Sequence, residues 1–189
     1  CVVAPPVPDQ SPLVAAWQAQ LAASQTEVTT ARAGDRILTS DGLYIRILHP
    51  TGAADPSDPT IRRSTNNDSV VLDVIAGSAR FLLTGDIEAD VERSLVRRYG
   101  VLPTTVLKAS HHGSATASST EFLDATRPLV AVISAGADNT LGLPAESVLT
   151  RYRERGTPVL NTAALGTIEF ITDGRRVWLA TARPLSSSE

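Results

Sequence analysis

The chain has 189 residues, 42% of them apolar and 20% charged, and a formal net charge of −3. Those values fit one globular domain with a sizeable core and exclude a disordered chain. No apolar run nears the roughly 20 residues that cross a bilayer, no global basic field draws in nucleic acid, and the single cysteine, Cys1, excludes an internal disulfide and cysteine-based metal binding.

The opening "CVVAPPVPDQSP" is proline-rich and reads as an extended connector over residues 1–12, because proline removes an amide donor and fixes φ. It starts on cysteine rather than methionine and carries no signal-type segment, so the chain reads as cut from something longer. Leu13–Ser24 then reads as an amphipathic helix, with Ser11 and Pro12 as cap and first-turn residue. Short strands are expected at Glu27–Ala31, Arg36–Leu38 and Leu43–Leu48, separated by turns at Gly34-Asp35 and Asp41-Gly42.

Pro50–Asn67 is polar and reads as a long loop. Ser69–Ile75 and Ala79–Thr84 form a hairpin pattern across Ala76-Gly77-Ser78, apolar enough to be buried on both faces. Helix and strand then alternate: a helix at Ile87–Tyr99, a strand at Thr104–Lys108, a helix at Ser119–Ala125 and a strand at Leu129–Ser134. A helix at Ala145–Arg155, a short strand at Pro158–Asn161 and a closing pair at Thr167–Thr172 and Arg176–Ala180 complete the pattern. This order predicts a layered α/β domain over residues 13–181, followed by a plain tail over 182–189.

Three polar stretches follow predicted strands: "TGD" at Thr84–Asp86, "KASHHGS" at Lys108–Ser114 and "SAGADNTLGLP" at Ser134–Pro144. Ligands gather at such strand ends. Asp86 is a hard oxygen donor and His111 and His112 supply imidazoles, a set that suits zinc or manganese. Residue type alone favours Asp86 as the N-cap of the next helix over a metal ligand, and the two roles are compatible only if the carboxylate has room for both. Adjacent histidines on a strand extension point to opposite sides, so one of the two faces a given ion unless Gly113 turns the backbone; His111 is the first choice and His112 the second. Lys108 reads as a partner for a phosphate or an acidic neighbour, or as a surface lysine. The hydroxyls of "SATASSTEF" include a capping box, Ser118 with Glu121, and no nucleophile with a His–Asp partner. His49 reads as a loop residue, and "TNNDS" at Thr65–Ser69 as turn chemistry beside a site. Local cations for a nucleic acid would be Arg62, Arg63 and Lys108.

The words "LHP", "NNDSVVL", "FLLTGDIE", "LKASHHGSATASSTEFL", "PLVAVISAGADN" and "GTIEF" occur in that order between Ala31 and Ile171. In this the chain resembles the second half of the metallo-β-lactamase-like domain of ComEC-type competence proteins. The resemblance implies a partial αββα sandwich, without the half that carries the first metal motif. It implies that Asp86 bridges metals, that His111 and His112 belong to the last histidine motif together with Lys108, and that Asn67 borders the site; Ser114 and Asn139 are taken as further lining residues. It further implies a zinc- or manganese-dependent phosphodiesterase acting on the single-stranded DNA that is not transported. The domain would lie on the outer side of the cytoplasmic membrane, joined to the membrane channel part of the same protein. The pattern departs from the family at two places: no early H-x-H-x-D-H-type motif is present, and Leu143 stands where relatives read G-H-P. The isolated chain is therefore expected to be inactive. Two other readings remain open, a metal-free structural or DNA-guiding module and a metallo-hydrolase of another ester.

Overall fold

A computed structural model describes residues 2–5, 11–51 and 64–184. Arg62 and Arg63, most of the loop expected over Pro50–Asn67, the middle of the expected connector and most of the tail lie outside the described residues. The described chain begins with β1 (Val2–Ala4), α1 (Pro12–Ala23) and β2 (Val28–Thr30), the two strands pairing in parallel. Within the expected extended connector, Val2–Ala4 is extended and pairs as a strand with Val28–Thr30, two β-branched residues preceding the first proline. Ser11 caps α1 by accepting the Val14 N–H, as expected. Yet α1 buries no residue and Leu13 is 79% exposed, so the helix is not amphipathic in the way its pattern implied.

The centre is a seven-stranded sheet built from β3 (Arg36–Leu38), β4 (Tyr44–His49), β5 (Val71–Ala76), β6 (Ala79–Leu83), β7 (Val106–Lys108), β8 (Val130–Ile133) and β9 (Val159–Asn161), in that order across the sheet. The pairs from β3 to β6 are antiparallel, as short turns allow. Those from β6 to β9 are parallel, each crossing through a helix where one is needed: α2 (Ala89–Tyr99), α3 (Thr120–Thr126) and α4 (Glu146–Glu154).

The three helices cover one face. Val91 and Leu95 of α2, Phe122 and Leu123 of α3, and Val148 and Tyr152 of α4 pack on Leu82, Leu107, Ala131 and Ile133 of the strands. Each of the Val, Leu, Ile and Phe side chains among them, withdrawn from water, contributes about 1.5–3 kcal/mol before entropy is charged against it. Strand alternation turns Phe81, Leu83, Val106, Val130 and Leu160 to the opposite face. After the short α5 (Thr162–Leu165), which the sequence did not announce, a hairpin of β10 (Ile168–Thr172) and β11 (Val177–Thr181) lies over part of that second face. Phe170 meets Phe81 edge-on, with ring centroids 6.3 Å apart, and the Ser78 N–H and hydroxyl both donate to the Gly174 carbonyl. A groove of about 560 Å³ remains between hairpin and sheet, lined by Val106, Leu129, Leu160, Phe170, Val177 and Leu179 among others. The layering is the mixed α/β arrangement expected of a partial αββα sandwich.

One carboxylate is built into the helix layer. Glu92 of α2 is fully buried and accepts the backbone N–H groups of Ser118 and Ser119, each at 2.7 Å. The expected Ser118–Glu121 capping box is therefore absent. Ser118 has φ +53, Ser119 is the N-cap, and Glu92 from the neighbouring helix does the capping instead. Burial pushes the Glu92 carboxyl above its ordinary value, while the Ser119 and Ser118 N–H groups that it accepts oppose the shift. Removing the acceptor leaves two buried N–H groups unpaired. Glu92→Ala is expected to lower unfolding stability by about 2–5 kcal/mol, read as a shifted midpoint in urea.

Candidate active site at the strand ends

Parallel pairing sets Leu83, Lys108 and Val132 side by side, so the chain leaving β6, β7 and β8 emerges along one edge of the sheet. After β6, the turn at Gly85 (φ +59) brings its Cα against Ser69; a Cβ there would stand 2.7 Å from the Ser69 Cβ. Ser69 Oγ in turn accepts the Asp86 N–H. Asp86 is not a helix cap. Glu88 holds the N-cap position of α2, because Ile87, fully buried, draws the chain inward for one residue before the helix begins. Asp86 and Glu88 flank that anchor and keep their carboxylates toward the strand ends.

After β7 comes the histidine turn, Ser110–Gly113. His111 (φ 49, ψ 45) and His112 (φ 56, ψ 23) are both left-handed, each at a cost of about 1–2 kcal/mol for a residue with a Cβ. The expectation that adjacent histidines point to opposite sides assumed an extended chain, and the turn removes that premise. The turn is pinned at both ends. The His111 N–H donates to the Gly85 carbonyl, and the Ala145 N–H donates to the Gly113 carbonyl. Gly113 (φ +80) packs so close to Pro144 that a Cβ would meet the Pro144 Cβ at 2.8 Å.

The two imidazoles face different carboxylates. His112 Nδ1 lies 2.6 Å from the Ser134 carbonyl, which can only accept, so Nδ1 carries the proton. Its Nε2 then points at Asp86 Oδ1, 3.3 Å away. His111 Nδ1 lies 3.7 Å from Glu88 Oε1, and its Nε2 is 3.5 Å from the Asn66 amide nitrogen. Thr116 Oγ1 donates to the same Glu88 oxygen. Lys108 is less free than a surface lysine. Its ammonium donates to the Gly85 and Ala109 carbonyls and stands 3.9 Å from Asp86 Oδ1. Burial lowers its pKa and Asp86 opposes that shift.

The remaining expected residues fall around this cluster. Asn67 is buried and accepts the Glu88 N–H on its side-chain oxygen, and its own carbonyl accepts from His49 Nε2 at 2.7 Å. His49 is thus no loop residue but the buried end of β4, tying the Asn66–Asp68 turn to the sheet. Ser114 is half-buried and hydrogen-bonds Thr116. Asn139 spends its amide on the Gly136 and Leu143 carbonyls and the Leu143 N–H, bracing its own loop. Sequence reasoning passed over Glu88, although it stands in "TGDIE" two residues from Asp86. Nothing in the sequence marked Ser134 for a role of its own, since it acts through its backbone.

Among the described residues no group of three or more His, Cys, Asp or Glu side chains is placed to hold a metal ion. Asp86 Oδ1 and His112 Nε2, 3.3 Å apart, are a pair of polar atoms and no more than that. Two carboxylates, one ammonium and two imidazoles make a concentrated polar cluster that can act on an acidic ester only with further positive charge.

Three curated proteins align with most of this chain. Competence protein ComA of Neisseria gonorrhoeae is 40% identical over 131 residues, which is 69% of this chain and 18% of that protein. ComE operon protein 3 of Bacillus subtilis is 33% identical over 143 residues, 76% of the chain and 17% of the relative. The chain is related to the ComEC-type competence proteins. Recombination protein 2 of Haemophilus influenzae is 37% identical over 67% of the chain and 15% of its own length. The chain thus spans less than a fifth of the length of these ComEC-type relatives. No family model matches it. Among solved structures, a metal-dependent hydrolase from Parabacteroides distasonis is similar at a TM-score of 0.45 and 10% identity, over 74% of this chain and 60% of that one. No described helix is long and apolar enough to cross a membrane.

This packing has two measurable consequences. Gly113→Ala is expected to destabilise the chain by roughly 1–3 kcal/mol and to shift the histidine ring resonances, seen by thermal denaturation and by NMR. Burial holds His49 below its ordinary 6.5, so the unfolded chain takes up that proton first. Stability is therefore lost as pH falls from about 6.5 through the depressed folded value. His49→Gln is expected to flatten the pH dependence of the urea midpoint in that window.

Proposed function

We propose that this chain is part of the DNA-handling domain of a ComEC-type uptake protein, and that the cluster of Asp86, Lys108, His111 and His112 works on the phosphodiester backbone of the strand that is not transported. The observation that carries this reading is the His112 ring: the Ser134 carbonyl accepts the Nδ1–H, and Nε2 stands 3.3 Å from Asp86 Oδ1. A ligating histidine is held in that state by a carbonyl or carboxylate behind it. The Asp86–His112 separation suits two donors sharing one ion, and zinc or manganese would supply the positive charge that a phosphodiester needs. Its other ligands would come from outside the described residues. Lys108 ties the Asp86 turn to the end of β7 and so holds the carboxylate in place. The partners in this reading are single-stranded DNA and the membrane channel part of the same parent protein, with the domain on the outer side of the cytoplasmic membrane.

The Asp86–His112 pair also favours a second reading, a metal-free module that guides DNA or supports the channel. Metal content and manganese-dependent cleavage of end-labelled single-stranded DNA separate the two, measured on this chain and on one extended upstream. The nuclease reading expects the extended chain to bind metal and cut, and Asp86→Ala or His112→Ala to reduce cleavage at least ~100-fold. An extended chain that is metal-free and inactive leaves the guiding module, whose DNA affinity should fall as salt rises.

A further inference from the structure

Glu88 occupies the N-cap position of α2 but makes no side-chain capping bond. Its carboxylate is turned instead toward the histidine turn, where it accepts from Thr116 and lies beside His111 Nδ1. That nitrogen is buried and has no hydrogen-bond partner within direct reach. The other ring nitrogen, Nε2, stands next to the Asn66 amide, a donor that calls for a lone pair. The backbone adds to the case. Asn67 Oδ1 accepts the Glu88 N–H and fixes where the carboxylate starts, and the left-handed His111 aims its ring at it. Strained residues of this kind persist where the surrounding structure over-determines them, and they cluster at working sites.

We propose that Glu88 is a positioning residue that holds His111 in its Nδ1–H form and leaves the Nε2 lone pair directed out of the turn. The Ser134 carbonyl imposes the same state on His112. Both adjacent histidines then carry the lone pair on Nε2, that of His111 beside the Asn66 amide and that of His112 on the Asp86 side. A carboxylate behind an imidazole raises its basicity as well as fixing its tautomer, so the two rings differ in strength as donors. The gap of 3.7 Å is longer than a made hydrogen bond, as resting sites often are before their ligand arrives. The inference deepens the reading of the cluster as a phosphodiester or ion site and takes its purpose from it.

The test is the tautomer of each histidine, read from nitrogen-15 chemical shifts of the imidazoles in this chain at mildly alkaline pH. The wild-type spectrum should show both His111 and His112 in the Nδ1–H form. Glu88→Ala should shift His111 toward Nε2–H by roughly tenfold in the ratio of forms and leave His112 unchanged. Glu88→Gln keeps an acceptor oxygen and should restore the wild-type ratio. A His111 that is mostly Nε2–H in the wild type, or that ignores Glu88→Ala, overturns the inference, and the wild-type spectrum decides this even if a variant fails to fold. Titrating manganese ions and following broadening of the same resonances addresses the functional reading separately. Absence of broadening in an extended chain counts against an ion site, whereas the tautomer result stands or falls without any ligand.

Discussion

The parallel register of β6, β7 and β8 is the constraint on which the rest of the site depends. It places the chain leaving Leu83 beside the chain leaving Lys108, close enough for the Lys108 ammonium to bond the Gly85 carbonyl and for the His111 N–H to bond it too. A slip of one residue would turn Leu107 out of the helix-covered core and Lys108 into it, so burial enforces the register. Asp86, Lys108 and the histidines are brought together by that enforcement, not by attraction among themselves.

The histidine turn shows how such a framework carries strain. Two successive left-handed residues are unfavourable in isolation, and both are kept because hydrogen bonds to Gly85 and Ala145 and the contact between Gly113 and Pro144 leave no room for another path. The result is two rings on one turn with two separate carboxylate neighbours. Glu92 plays a comparable part behind the site: by capping the start of α3 from α2, it sets where Thr116 and Ser118 can lie, and Thr116 reaches Glu88.

The second sheet face is finished differently from the first. Helices fill one side with fully buried side chains, whereas the other keeps an apolar groove under the β10–β11 hairpin and exposes Leu83 and Leu129. The sheet is mixed, and the hairpin covers this second face only in part.

Much of this was legible in the sequence. Apolar runs bounded by Gly, Asp and Pro located every strand of the central sheet within a residue or two, and the word order from "FLLTGDIE" to "GTIEF" carried the family, because local pattern and motif order are properties of the chain alone. What the sequence could not hold were relations between distant segments. Whether Asp86 caps a helix depended on Ile87 finding the core. Which imidazole meets which carboxylate depended on a turn pinned by Gly85 and Pro144. The capping of α3 fell to Glu92, 27 residues from Ser119, because only packing brings a buried carboxylate to an unpaired N–H. Residue types and their spacing were set by the sequence; the partners of His111, His112 and Glu88 were set by the fold, since left-handed turns and buried hydrogen bonds are stable only once the layers around them exist.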